Sequence, residues 1–153
     1  MAAEPIILSH RRAGTVRTHR HVACCRLAVA EWQAEAYAAK HPQLPQIVHP
    51  DRVVGLPAKR QWLLERQGDQ MQLDDDCIGI FRIYRRKGSW KKGMLGPERA
   101  YELIQQTGET ARSLGAFLFG FDSHAHPLTY DALRPFRFGG YSPGGAIGLL
   151  AGS

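Results

Sequence analysis

Six cations fall within eleven residues, at Arg82, Arg85, Arg86, Lys87, Lys91 and Lys92, with Tyr84 and Trp90 among them. Cations held this closely neutralise phosphates, and aromatic rings between them stack on unpaired bases. A second basic stretch lies near the start. No acid occurs between Glu4 and Glu31, whereas Arg11, Arg12, Arg17, Arg20 and Arg26 all do. The segment 82–92 with Arg11, Arg12 and Arg17 is therefore the candidate nucleic-acid interface. The same charge also suits an acidic surface of a partner protein.

A different chemistry is suggested by Asp122-Ser-His124-Ala-His126. Alternate side chains of an extended segment share a face. Asp122, His124 and His126 can then face one cation, and one carboxylate with two imidazoles suits zinc, iron or manganese. A lone His-x-His is common on protein surfaces, so loop or capping roles are the stronger expectation, with no metal or cofactor. The run Asp74, Asp75, Asp76 reads first as turn chemistry. A magnesium site is its lesser reading, since no Glu-x-Lys accompanies it. Gly-x-Ser-x-Gly, Walker and dinucleotide fingerprints are all missing from the sequence.

The words Asp122-Ser-His124-Ala-His126 resemble the opening metal motif of the TatD and amidohydrolase-type metal hydrolases. The resemblance covers five residues. It would imply a barrel whose later ligands come from other strands. Such barrels run to about 250 residues, and the sequence has 27 residues after His126 (153 − 126), so that fold is not expected. The segment 135–153, with glycines at 139, 140, 144, 145, 148 and 152, is loosely similar to the late Gly-rich loop of CRISPR repeat-processing endonucleases. A flexible loop leading into a closing strand at 146–151 is the simpler reading.

The elements that must position these groups follow from periodicity and breakers. Residues 1–20 read as a basic, partly mobile arm with one short strand at 6–8. Residues 22–40 are Ala-rich and place Val22, Cys25, Val29, Trp32 and Ala36 at helical spacing. Pro42 and Pro45 close that helix. A short strand is expected at 46–49 and a helix from Pro57 to about Arg66. Residues 70–73 and 77–84 read as a hairpin turning at the aspartates, followed by a basic loop at 85–93. A helix over 97–114, kinked or split at Gly108, and a buried strand over 115–121 complete the pattern. The expected core contains Val29, Trp32, Ile80, Phe81, Leu103, Ile104, Phe117 and Phe119.

These elements predict a single α+β domain over 1–153, with a small, largely antiparallel sheet packed by two or three helices. The chain is 44% hydrophobic and 22% charged, a globular balance that excludes whole-chain disorder. No apolar run reaches the roughly 20 residues of a membrane span, and no signal-like start is visible. Cys24, Cys25 and Cys77 form no disulfide framework, which points to the cytoplasm. The net charge of +6 favours anionic partners. The leading expectation is a non-enzymatic, nucleic-acid-binding accessory protein acting through its basic loop. A protein-docking inhibitor or adaptor is the first alternative. A small metal-dependent hydrolase or nuclease centred on Asp122, His124 and His126 is the second. Oligomeric state is left open by the sequence.

Overall fold

The run Pro-Ile-Ile-Leu at the start is apolar on both sides, which suits a strand covered on both faces. The computed structural model describes residues 3–122, 126–128, 130–131, 133 and 145–152. In it, Glu4–Leu8 forms β1, near the middle of a six-stranded sheet. Ile6 and Ile7 are fully buried, one on each face. Within the arm expected at 1–20, the strand expected at 6–8 is present as Glu4–Leu8.

The other strands of this sheet are β2 (Arg26–Ala30), β3 (Gln46–His49), β4 (Gln70–Asp74), β7 (Leu118–Gly120) and β8 (Ala146–Leu149). Their order is β3-β2-β1-β4-β8-β7. The first four run parallel, and β8 then pairs antiparallel with β4 and β7. β5 (Phe81–Arg86) and β6 (Ser89–Met94) make a separate two-stranded antiparallel sheet. The α-helices among the described residues are α1 (Ala34–Lys40), α2 (Leu56–Gln67) and α3 (Pro97–Ser113). The chain is therefore mixed α and β, as expected, with a large sheet that is mixed in strand direction.

Two layers of helix flank the large sheet. Tyr37 from α1 and Ala100, Ile104 and Ala111 from α3 pack on Ile7, Leu27, Val29, Met71 and Leu73. On the other face Leu63 from α2 packs on Ile6, Leu8, Ala28 and Ile47. Helix α3 runs unbroken through Gly108. A Cβ there would lie 3.1 Å from Ala3 and 3.4 Å from the Phe119 ring, so the glycine marks a close approach and not a kink. At Gly148 a Cβ would fall 2.1 Å from the Phe119 ring, which lies directly on the backbone of β8.

Several expectations are corrected. The helix expected at 22–40 is a strand, a short 3-10 turn at Glu31–Gln33 and the seven-residue α1. A strand buried on both faces has no polar alternation, so Leu-Ala-Val-Ala mimics a helical apolar face. Burial outweighs the helix propensity of alanine, which is worth at most about 0.7 kcal/mol per residue. Trp32 consequently leaves the core and is 56% exposed.

The hairpin expected to turn at Asp74–Asp76 turns at Lys87-Gly88. Both residues have positive φ, 48° and 79°, as a two-residue hairpin turn requires. Phe81 is exposed on that hairpin, and Ile80 and Leu103 are half-buried. The strand expected at 115–121 shortens to Leu118–Gly120, with Phe119 buried and Phe117 exposed. Val29, Ile104 and Phe119 are in the core as expected.

Candidate functional site

The parallel half of the sheet sends its connections in opposite directions from β1 and β4. The chain leaves β1 toward β2 and β3, crosses back to β4, and leaves β4 toward β7 and β8. The carboxyl ends of β1 and β4 thus lie where the strand order reverses, the position at which open α/β sheets bind ligands. The residues that follow these strands are Ser9 and Asp75.

Ser9 is buried, and its hydroxyl donates to Asp75 Oδ2 and lies 2.7 Å from Tyr37 Oη. Asp75 is also buried. Arg12, on the loop after β1, donates to both carboxylate oxygens of Asp75 and reaches Asp76 at 3.3 Å. The backbone of the same loop tightens the joint. Arg17 N–H donates to the Asp75 carbonyl at 2.9 Å. The Thr18 hydroxyl donates to the Asp74 carbonyl and accepts from Cys77 N–H. The β1–β2 loop is thus fastened onto the aspartate turn by both side chains and main chain.

Lys59 reaches this edge from the first turns of α2. Its ammonium is buried and donates to the Ser9 carbonyl at 2.8 Å. Burial pulls its pKa down to about 8, against an opposing pull from Asp75. Burial likewise pushes Asp74 up, reinforced by Asp76. His49 closes β3 and is buried. Its Nδ1 lies 3.2 Å from the Pro50 carbonyl and so carries the proton. Its Nε2 is buried with no hydrogen-bond partner, and burial lowers its pKa, keeping the ring neutral. Trp32 projects beside this edge after β2, with the Arg11 guanidinium 5.4 Å from its ring centre and His10 against its edge. Gln33 links the two by accepting from Arg11 N–H and contacting His10 Nδ1.

The sequence-predicted residues divide between two places. Arg11, Arg12 and Arg17 belong to the carboxyl edge, where Arg12 and Arg17 bind the aspartate turn. Arg82, Arg85, Arg86, Lys87, Trp90, Lys91 and Lys92 lie on the β5–β6 hairpin, all exposed except the half-buried Trp90. His124 lies outside the described residues, as does most of the Gly-rich tail. His126 Nδ1 accepts from Leu128 N–H. Among the described residues no three metal-ligating side chains converge.

Sequence reading missed Ser9, Lys59 and His49. The signal available was positional. Each lies at or near the end of an element in the βαβ half of the chain, but that half was not recognisable while β2 read as a helix. No described helix is long and apolar enough to cross a membrane. Fold and site define a mixed α and β protein with a cluster of charged side chains at a strand-order reversal. No protein-family model, curated protein or solved structure matches this chain.

Proposed function

We propose that the charged carboxyl edge between β1 and β4 binds a phosphate-bearing small molecule of the nucleotide class. The observation that carries this reading is Lys59, a buried cation at the point where the strand order reverses. A buried ammonium is destabilising where it stands, and a bound anion at this edge offsets that cost. Open α/β sheets bind ligands at this position because diverging loops leave room above the strand ends. Arg11, held over the Trp32 ring at the same edge, adds positive charge for phosphate oxygens. The bare Nε2 of His49 offers an acceptor for a ribose hydroxyl or a base N–H. Asp74 and Asp76 supply the one or two carboxylates that magnesium takes when phosphates provide its other ligands.

Calorimetric titration of the whole chain with nucleoside mono- and diphosphates, with and without Mg²⁺, tests this. Binding of a diphosphate, lost in a folded Lys59→Met variant and weakened without Mg²⁺ in the parent only, is expected. No binding of any nucleotide in either condition overturns it.

A second reading is favoured by one specific feature, the basic hairpin. From Cys77 to Pro97 there is no acid, and six cations project from one exposed ribbon. This supports engagement of a polyanion, with nucleic acid ahead of an acidic protein surface. It also fits an accessory role in the cytoplasm, where Cys24, Cys25 and Cys77 stay as free thiols. Binding of labelled nucleic acid that weakens steeply with salt is the expected result. Salt-independent binding, or none, sinks it.

A further inference from the structure

The hairpin's register sorts its charges. Arg82 faces Gly93, Tyr84 faces Lys91 and Arg86 faces Ser89. Directly opposed residues share a face, so Arg82, Arg86 and Lys91 lie on one face with Tyr84. Ile83 faces Lys92 and Arg85 faces Trp90, which puts Arg85 and Lys92 on the other face. Lys87 occupies the turn. The ribbon therefore carries cations on both faces and at its tip, and no residue of either strand is buried. Among the described residues, no carboxylate pairs with Arg85, Arg86, Lys87 or Lys91.

The aromatic rings tell which nucleic acid fits. The Tyr84 ring has the Arg82 guanidinium 5.1 Å from its centre, and it lies against Gly93. The Phe81 ring has the Lys92 ammonium 4.7 Å away. Trp90 meets Tyr130 edge to face at 4.9 Å. Each ring already has a neighbour, so stacking on unpaired bases would first displace those contacts. Groove insertion asks for none of that. A two-stranded ribbon fits the major groove of B-form DNA, about 12 Å wide, whereas the deep, narrow major groove of A-form RNA does not admit side chains. Arg82, Arg86 and Lys91 on the inserted face, with Lys87 at the tip, then reach base edges and the phosphates that line the groove.

We propose that the β5–β6 hairpin binds double-stranded DNA by lying in the major groove. This rests on the polyanion reading of the hairpin and names its partner. The test is fluorescence anisotropy of the whole chain with labelled duplex DNA, duplex RNA and single-stranded DNA of equal length, each across a salt series. Duplex DNA should bind tightest, with affinity falling linearly in log–log against salt. Replacing Arg82, Arg86, Lys87 and Lys91 together by Ser should flatten that slope by about four units. The charge-preserving pair Arg82→Lys and Arg86→Lys should leave the slope unchanged, and circular dichroism should show both variants folded. Single-stranded DNA bound as tightly as duplex, with the slope still lost in the Ser variant, overturns the groove but keeps the polyanion reading. Nucleic-acid binding that is unchanged in the folded Ser variant, or absent in the parent, overturns both. Poly-glutamate bound in place of any nucleic acid moves the hairpin to an acidic protein partner and also overturns the proposal.

Discussion

At the carboxyl edge, Arg12 lies across Asp75 and Asp76 while Lys59 is buried against the Ser9 carbonyl. On the hairpin, Arg85, Arg86, Lys87 and Lys91 stand in solvent with no described carboxylate paired to them. Both regions gather cations, and the physics of each is different. Partnered, buried charges interact through a medium that screens them poorly, so removing one strands the others. Exposed like charges are screened by water and salt within about 10 Å, so they cost little to hold and little to lose. A ligand bound at the first would be coupled to folding. A partner bound at the second would have its affinity adjustable without touching the fold.

The comparison is sharpest at Asp75. Its carboxylate accepts from Ser9 and Arg12, and it is buried. Asp75→Ala should cost about 3–5 kcal/mol in urea denaturation, because partners of a buried ion pair lose their counterpart together. Arg86→Ser or Lys91→Ser should each stay within about 0.5 kcal/mol. A cost below about 1 kcal/mol at Asp75, or above it at Arg86, would erase the distinction between the two regions.

Lys59 gives the next effect. Its pKa falls from 10.5 in the unfolded chain to about 8 in the fold. Between those values the unfolded chain binds the extra proton, so stability rises with pH across the window from about 8 to 10.5. Below about 8 the ammonium is charged in both states and its burial cost, about 3 kcal/mol, is fully present. Lys59→Met removes that cost and one hydrogen bond to the Ser9 carbonyl, worth about 1 kcal/mol. The variant should gain about 1–2 kcal/mol at pH 7 and lose the rise in stability above pH 8. A variant less stable than the parent at pH 7 would make Lys59 a structural anchor.

How much of this was legible depended on whether a signal was local. Helix α3 announced itself through Gly96-Pro97-Glu98 and an apolar spacing through Ala100, Leu103, Ile104, Ala111 and Leu114, all within one segment, although Leu114 is exposed. Strand β3 and helix α2 were legible for the same reason. The basic cluster was legible as composition, but not as a hairpin. Its turn depends on Lys87 adopting positive φ, which a lysine does not advertise. Strand β2 was illegible because its burial on both faces comes from α1, α2 and α3, all outside the segment. That one misreading hid the parallel half of the sheet, and with it the charged edge. Asp74–Asp76 were noticed as an acidic turn, yet their meaning comes from Ser9, Arg12 and Lys59, which are distant in sequence and meet only in the fold.

A small effect on stability is expected at Trp32, which stands beside the carboxyl edge of the sheet. Its ring is 56% exposed, with Arg11 5.4 Å from its centre and His10 against its edge. Its backbone N–H is held by Asp51 at 3.2 Å. An exposed ring leaves no cavity when truncated, so Trp32→Ala should cost under about 1 kcal/mol. Its optical role is larger. Of the three tryptophans, Trp90 is on the hairpin, whereas Trp62 on α2 has its ring 6.1 Å from that of His49, so Trp32 and Trp62 both stand near the proposed ligand and Trp32 is the exposed one. A nucleotide entering between β1 and β4 changes the charge and solvent around Trp32 most. Titration with a nucleoside diphosphate should therefore change tryptophan emission more in the parent than in Trp32→Phe, where only Trp62 beside His49 still responds, while duplex DNA changes emission in both through Trp90. Emission that responds to the nucleotide equally with and without Trp32 would move the ligand away from the β1–β2 side of the edge. A response to DNA that vanishes with Trp32 would mean that the two regions form one surface.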